Sequence, residues 1–121
     1  MIVFFSLTGQ TRRFVKKLAC DQTIELKSGE EIPKMTQPYL LIVPTYVEEV
    51  VEVVFDFLDH GDNASYCKGV CGSGNRNFAQ LFCFTAKDIA EDYHIPLLHM
   101  FEFQGSENDV AKVEEELKKL A

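Results

Sequence analysis

The chain has 121 residues, of which 46% are hydrophobic and 26% are charged, an ordinary composition for one globular domain with a substantial core. With 12 basic and 19 acidic residues the formal net charge is −7, which argues against a nucleic-acid partner because such a partner selects a basic face. No apolar run approaches the roughly 20 residues that a membrane-spanning helix needs, so no membrane association is predicted.

Apolar patterning near the N-terminus predicts a strand and then a helix. Ile2–Phe5 is a continuous apolar run, which is typical of a strand covered on both faces. In Thr11–Leu18 the side chains of Phe14, Val15 and Leu18 fall on one side, which predicts an amphipathic helix. No basic segment precedes the first run, so no signal peptide is predicted and we expect a cytoplasmic protein.

The next part of the chain is predicted to hold two strands joined by an irregular segment. Gln22–Leu26 predicts a second strand. Residues 27–37 are mostly polar and include one glycine and one proline, which predicts a connector rather than a helix. Tyr39–Val43 is the strongest candidate for a central strand, and Pro44 ends it.

The second half continues the alternation of helix and strand. Apolar residues at helical spacing predict a helix over residues 48–60, and Gly61-Asp62-Asn63 is a stop signal after it. Cys67–Gly72 predicts the fourth strand. A long third helix is predicted from Phe78 to Tyr93, and Leu97–Phe103 predicts the fifth strand.

A last amphipathic helix is predicted to begin after Ser106 and to run to Leu120. Ser106 and Asp109 have the spacing of a capping box, with Asp in place of the usual Glu or Gln. Five strands with helical crossovers predict an α/β fold, with a doubly wound parallel sheet in the flavodoxin-like order 2-1-3-4-5. We expect a single domain that spans residues 1–121.

The segment that follows the first predicted strand has the features of a phosphate-binding loop. Ser6, Thr8 and Thr11 supply hydroxyl groups, Gly9 permits close approach, and the amides that open the next helix lie at its positive end. The loop lacks the Gly-Lys-Ser/Thr of a nucleotide P-loop, the G-x-G-x-x-G of a dinucleotide fold and the cysteine of a phosphatase. It therefore favours holding a phosphomonoester, and the alternative is an ordinary capped turn.

A second polar loop follows the fourth predicted strand and suits a flat heterocycle. Segment 72–77 offers backbone and amide groups around two glycines. Phe78 or Phe82 would stack on one face of a ring, with Tyr46 on the other. The alternative is core packing for both phenylalanines and a surface turn for Tyr46. Arg76 is left with three possible partners, namely a phosphate, another protein or an acidic neighbour.

The remaining reactive residue types give no catalytic or metal site. Four cysteines at irregular spacings predict reduced thiols packed as small apolar groups. His60, His94 and His99 are expected to be structural. Residues 35–67 contain no Lys or Arg and six carboxylates, which predicts either a solvated acidic face or an acidic rim beside a cofactor or docking surface.

Three segments carry a resemblance to a known family. Ser6-Leu7-Thr8-Gly9-Gln10-Thr11 resembles the flavodoxin phosphate loop S/T-x-T-G-x-T. Segment 72–78, Gly-Ser-Gly-Asn-Arg-Asn-Phe, is similar to the signature of the NrdI family, the flavodoxin-like accessory proteins of class Ib ribonucleotide reductase. Segment 101–110 is similar to that family's F-E-L-x-G-T-x-x-D-V.

The resemblance implies one non-covalently bound FMN, an electron-donating reductase and a reduced flavin that reacts with dioxygen. The superoxide or peroxide formed would assemble the dimanganese radical cofactor of the class Ib small subunit. The protein would act as a redox accessory flavoprotein without a catalytic residue of its own. The predicted FMN-binding residues are Ser6, Leu7, Thr8, Gly9, Gln10, Thr11, Thr45, Tyr46, Val47, Glu48, Ser73, Gly74, Asn75, Asn77, Phe78 and Phe82.

One segment departs from the family pattern. Residues 45–49 contain no glycine where many relatives have a glycine-rich stretch, which argues against a backbone flip linked to flavin reduction. Glu48 and Glu49 are expected to lower the second reduction potential by charge repulsion. Two alternatives remain open at this point, a generic small flavodoxin that acts as an electron shuttle and a binding module that has lost its flavin.

Overall fold

A computed structural model describes residues 1–120, which form a five-stranded parallel sheet with helices on both faces. The strand order is β2-β1-β3-β4-β5, as predicted from the alternation of strands and helices. The strands are β1 (Ile2–Phe5), β2 (Thr23–Leu26), β3 (Tyr39–Val43), β4 (Cys67–Gly74) and β5 (Leu97–Glu102). The helices are α1 (Gln10–Lys17), α2 (Glu52–Asp59), α3 (Asn63–Tyr66), α4 (Phe84–Tyr93) and α5 (Glu107–Lys118), with a 3₁₀ segment at Arg76–Leu81.

The central strands are buried on both faces, which explains why their sequences are apolar throughout. In β1, the side chains of Val3 and Phe5 pack in the core beneath α2 and α4. The alternate side chains Ile2 and Phe4 pack in a second core with α1 and α5. Strand β3 divides its side chains between the same two cores.

Two predicted helices differ from the structure at their starts. Helix α2 begins at Glu52 rather than near residue 48, because residues 47–51 form two turns in which the amides of Val50 and Val51 donate to the carbonyls of Val47 and Glu48. The long helix predicted from Phe78 is broken into the 3₁₀ segment and α4. The break follows from left-handed backbone at Cys83, with φ 56°, immediately before α4.

The short helix α3 was not predicted from the sequence. It begins at the buried residue Asn63, the last residue of the predicted stop signal at 61–63. Asn63 Oδ1 accepts the Met35 amide at 2.7 Å, and Asn63 Nδ2 donates to the carbonyls of Pro33 and Phe57, each at 2.9 Å. The hydroxyl of Tyr39 donates to the Asn63 carbonyl at 2.8 Å. This one residue therefore fastens the irregular connector 27–38 to α2 and β3.

The capping box predicted at the start of the last helix is confirmed. Ser106 and Asp109 form the capping box of α5, with side chain and backbone bonded in both directions. All four cysteines in residues 1–120 are free thiols. In the same residues, no helix is both long and apolar enough to cross a bilayer.

Replacing Asn63 should destabilise the fold far more than its size suggests. Asn63→Ala leaves the Met35 amide and the Pro33 carbonyl without this partner and removes one of the two donors to the Phe57 carbonyl, so we expect the free energy of unfolding to fall by about 2–4 kcal/mol. Urea denaturation measures the change, and Asn108→Ala on the exposed first turn of α5 is the control, expected to shift stability by less than about 0.5 kcal/mol. Equal effects of the two substitutions would show that the Asn63 hydrogen bonds contribute nothing.

Candidate functional site

A cavity of about 480 Å³ opens at the carboxyl edge of the sheet, where β3 and β4 end. Its volume lies in the range of small-molecule sites, and its position is the one that open parallel sheets use for ligands. The lining residues are mostly apolar with a few polar groups: Gln10, Pro44, Thr45, Tyr46, Val47, Ser73, Gly74, Asn75, Phe78, Leu81, Phe84 and Phe103.

The loop between β1 and α1 is organised by the hydroxyl of Ser6. Ser6 Oγ accepts the amides of Gly9 at 3.1 Å and Arg12 at 3.3 Å. Gly9 has φ +95°, a left-handed conformation that turns the chain into α1. The amides of Gln10 and Thr11 lie in the first turn of α1, where no preceding helical carbonyl is available to them. The loop therefore presents amides and an exposed hydroxyl, that of Thr8, at the positive end of a helix.

The basic residue closest to this loop is already paired. Arg12 donates through Nε and Nη2 to the two carboxylate oxygens of Glu25, at 2.9 and 2.6 Å. The hydrogen bond from Arg12 lowers the pKa of Glu25, so the pair is ionised at neutral pH. An anion at this loop would accordingly be held by amides and hydroxyls, as the sequence predicts for a loop without lysine.

The segment after β3 is fixed by two threonines. The hydroxyl of Thr45 donates to the carbonyl of Ser73 at 2.6 Å. The hydroxyl of Thr85, on α4, accepts the amide of Tyr46 at 3.2 Å and donates to the carbonyl of Tyr46 at 3.1 Å. Residues 45 and 46 of the cavity wall are therefore hydrogen-bonded to β4 and to α4. The next residue, Val47, is 60% exposed.

The end of β4 passes close to its neighbours at Gly74. A Cβ built there would lie 3.1 Å from the amide nitrogen of Cys83 and 3.2 Å from Thr45 Oγ1, so a side chain would displace the wall. Asn75 lines the cavity, and its Oδ1 accepts the amide of Asn77 at 2.9 Å to start the 3₁₀ segment. Asn77 is exposed and does not line the cavity.

Arg76 and Phe82 lie outside the cavity, beside β5. Arg76 Nη1 donates to Glu102 Oε1 at 2.9 Å, so the acidic neighbour is its partner among the three that the sequence left open. The guanidinium carbon lies 4.9 Å from the centroid of the Phe82 ring, a cation–π contact. Phe82 is only 8% exposed, and its predicted role against a ligand ring therefore does not match its place beneath Arg76.

The predicted site residues are brought together in part. Eight of them line the cavity: Gln10, Thr45, Tyr46, Val47, Ser73, Gly74, Asn75 and Phe78. The other predicted residues of the loop after β1 do not line the cavity, but they adjoin Gln10, which does. Glu48 lines a separate adjoining groove instead. Four further residues line the cavity that were not predicted from the sequence, because they lie at the end of a predicted strand or within the third predicted helix: Pro44, Leu81, Phe84 and Phe103.

Two buried thiols, one in β4 and one at the bend before α4, have raised pKa values. Burial raises the pKa of Cys83, whose sulfur lies behind Gly74, to about 11, and that of Cys71 to about 12. Both are protonated at neutral pH. Nor does any group of three His, Cys, Asp or Glu side chains converge as a metal site within residues 1–120. The arrangement can bind and shield a planar ligand with an anionic tail.

The 3₁₀ segment that closes one side of the cavity contains a strained residue. Ala79 has φ 51° and ψ −115°, a conformation that suits glycine. It sits between Phe78 and Leu81, which line the cavity with 63% and 60% of their surface exposed. The bend at Ala79 thus holds two large apolar side chains at the mouth of the cavity.

Comparisons of sequence agree on one family, and two solved structures share the fold. The family model described as NrdI flavodoxin like matches residues 2–115. Protein NrdI of Mesoplasma florum is 36% identical over 126 residues, which cover 98% of this chain and 83% of that protein. Among solved structures, a short-chain flavodoxin associated with a PDU bacterial microcompartment matches with TM-score 0.66 and 18% identity, covering 98% of this chain and 93% of its own. A flavodoxin from Streptococcus pneumonia TIGR4 matches with TM-score 0.61 and 18% identity, covering 98% and 94%.

Replacing Ala79 by glycine should stabilise the protein, whereas glycine usually destabilises a helical segment. We expect Ala79→Gly to raise the free energy of unfolding by about 1 kcal/mol, because the strain of 1–3 kcal/mol outweighs the entropy cost of glycine. Ala111→Gly, on the exposed surface within α5, should lower it by about 1 kcal/mol. Chemical denaturation of both variants gives the comparison, and destabilisation by the same amount at both positions would rule out stored strain at Ala79.

Proposed function

This chain belongs to the NrdI family of flavodoxin-like proteins, and we propose that it binds FMN in the cavity at the carboxyl edge of its sheet. The observation that carries the proposal is the convergence of three separate segments on that edge. The loop after β1, the turn after β3 and the loop after β4 all contribute residues to one cavity or its continuation. The loops after β1 and β4 are also segments in which the sequence resembles flavodoxins and the NrdI signature, respectively.

The loop at residues 6–11 would hold the phosphate group. Ser6 fixes the turn by accepting two amides, which leaves Thr8 and the first amides of α1 to face an anion. Hydrogen bonds from such groups to a charged oxygen contribute about 1.5–3 kcal/mol each. Because Arg12 is already paired with Glu25, the phosphate would depend on the loop's neutral donors.

The apolar part of the cavity would hold the ring system. Tyr46 and Phe78 offer aromatic faces, and Ser73, Gly74 and Asn75 offer backbone and amide groups to a heterocycle edge. Phe84 and Phe103 extend the apolar wall and exclude water from it. Pro44 and the hydrogen-bonded Thr45 keep the wall rigid, so the ring would enter a preformed slot.

The bound flavin would accept electrons from a reductase and pass them to dioxygen, giving superoxide or peroxide for the dimanganese site of the class Ib small subunit. The protein's own residues bind the cofactor, shield it and set its electrostatic environment. The turn at 47–51 contains no glycine, and its two backbone hydrogen bonds favour one conformation in both redox states. We place the protein in the cytoplasm, where four free thiols stay reduced.

A reconstitution experiment tests the whole proposal. The full chain is titrated with FMN while the visible spectrum is recorded, then reduced without oxygen and mixed with aerated buffer that contains a manganese-loaded class Ib small subunit. We expect yellow protein, fast reoxidation and a radical signal by electron paramagnetic resonance. Slow reoxidation without a radical would instead favour a flavodoxin that shuttles electrons.

The phosphate loop can be tested separately from the ring site. Thr8→Val removes the exposed hydroxyl of the loop, so we expect FMN affinity to fall by roughly 10-fold or more. The affinity for riboflavin, which has no phosphate, should stay the same. Ser28→Ala, in the exposed connector, is the matched control. Equal losses for the two flavins would mean that residues 6–11 do not hold the phosphate.

The carboxylates after Tyr46 should affect the second reduction potential. Glu48→Gln and Glu49→Gln each remove a negative charge near the proposed ring, and we expect the potential to rise by roughly 10–40 mV per substitution at low salt. Both residues are exposed, so the effect should shrink as salt is added. Potentiometric titration provides the measurement, and a potential unchanged at low salt would refute the charge effect.

A further inference from the structure

One side chain on α4 is hydrogen-bonded to both backbone groups of a residue in the cavity wall. The hydroxyl of Thr85 accepts the amide of Tyr46 at 3.2 Å and donates to the carbonyl of the same residue at 3.1 Å. A helical threonine can bond to a carbonyl of its own helix. Thr85 instead bonds to a different segment of the chain, and it satisfies one donor and one acceptor there, as a paired strand does.

The place of Thr85 follows from the close approach of α4 to β4. A Cβ at Gly72 would lie 2.5 Å from the Cβ of Ala86, so the helix reaches this depth only because β4 has no side chain there. Thr85 precedes Ala86 and is only 2% exposed. A buried hydroxyl that is bonded in two directions has little freedom to rotate, so the two bonds restrain the Tyr46 backbone together.

The peptide that joins Tyr46 to Val47 therefore has a fixed orientation. No peptide bond in the described chain is cis, and in a trans peptide the carbonyl of one residue and the amide of the next point in opposite directions. Since the Tyr46 carbonyl points to Thr85, the Val47 amide points away from α4. Within residues 1–120 this amide forms no hydrogen bond.

The free amide belongs to the cavity side of the wall. Val47 lines the cavity, whereas Thr85 lines the adjoining groove and not the cavity. Tyr46 lines both and forms the partition between them. The wall therefore offers a backbone donor to an occupant of the cavity, and its one nearby acceptor, the Tyr46 carbonyl, is turned away and already bonded.

The residues on either side of this peptide have other restraints. The hydroxyl of Thr45 donates to the Ser73 carbonyl at 2.6 Å. The carbonyls of residues 47 and 48 accept amides within the turn at 47–51. Between these two anchors, Thr85 supplies the hydrogen bonds of the Tyr46 backbone. Loss of its hydroxyl would leave this one peptide free to tilt while its neighbours stay in place.

We propose that Thr85 is a positioning residue that lowers the reduction potential of the flavin by fixing the peptide between Tyr46 and Val47. This role rests on the proposed function, because it takes FMN as the occupant of the cavity. Reduction adds protons as well as electrons to the ring, so a ring nitrogen that accepts hydrogen bonds becomes an N–H donor. A fixed amide donor in the wall stabilises the oxidised ring and repels the reduced one.

Hydrogen exchange of the flavin-free full chain tests the hydrogen bonds themselves. Thr85→Val keeps the shape of the side chain and removes the hydroxyl, so we expect the Tyr46 amide to exchange with deuterium roughly 10-fold faster. Thr85→Ser loses a buried methyl group but keeps the hydroxyl, and we expect a rate within about twofold of the wild type. A wild-type rate in Thr85→Val, or equal acceleration in both variants, would overturn the proposal.

Potentiometric titration of the FMN-loaded variants tests the redox role. In Thr85→Val we expect the ratio of reduced to oxidised flavin at a fixed potential to rise roughly 10-fold, which is an upward shift of about 30 mV in the two-electron midpoint. Thr85→Ser should stay within about twofold in this ratio. Thr85 carries no charge, so the shift should persist at high salt, unlike one caused by a carboxylate.

A control substitution separates this role from a loss of stability. Tyr39→Phe removes a buried hydroxyl at the far end of β3, and we expect the midpoint to stay at the wild-type value. An unchanged midpoint in Thr85→Val, or the same shift in Tyr39→Phe, would overturn the redox role. A wild-type chain that binds no FMN would overturn the proposed function together with this role, whereas the exchange rates would still show whether Thr85 fixes the peptide.

Discussion

Burial of β1 and β3 on both faces is the constraint on which the rest of the architecture depends. Every residue of Tyr39–Val43 is fully buried, and Ile2–Phe5 is at most 5% exposed. Each large side chain removed from water in this way contributes about 1.5–3 kcal/mol. Two helical layers are therefore required to cover the sheet, and the crossovers bring the loops after β1, β3 and β4 to one edge. The candidate site follows from this topology.

Small residues in β4 set how closely the other elements approach that edge. At Gly72 a Cβ would lie 2.5 Å from the Cβ of Ala86, so α4 can pack against β4 only because no side chain intervenes. Gly69 admits the side chain of Leu98 in the same manner. Because the central strands are apolar on both faces, alternation alone does not fix their depth against the helices. The close approaches at Gly69 and Gly72 fix how near the neighbouring elements lie to β4. They thereby determine where Cys83, Thr85 and the cavity wall lie.

Most of the fold could be predicted from the sequence, and there are physical reasons why the remaining elements could not. Apolar runs and helical spacing identified all five strands and four of the helices, since burial produces both patterns. Helix α3 was missed because Gly61 precedes it and because its buried residue, Asn63, is polar. The third predicted helix was too long because its apolar spacing continues through Ala79 and Cys83, whose backbone is left-handed.

The lining residues that lie in polar loops could be predicted from the sequence, whereas the aromatic residues Phe84 and Phe103 could not. The loops at residues 6–11 and 73–77 are rich in Gly, Ser, Thr and Asn, which are residue types typical of turns and of binding loops. Phe103 gave no such signal, since its positive φ of 51° and its place at the cavity depend on the turn before Gly105. Phe82 and Phe84 are two positions apart in similar surroundings, and only the bend at Cys83 decides that Phe84 lines the cavity.

The hydrogen bonds of Asn63 also have a dynamic consequence. They tie a connector without regular secondary structure to α2, α3 and β3, so detaching the connector exposes polar groups on all of them at once. Segments linked in this way open together as one cooperative unit rather than fraying separately. The amides of Met35 and of α3 should consequently exchange with solvent deuterium at a common rate, far more slowly than an unstructured loop would.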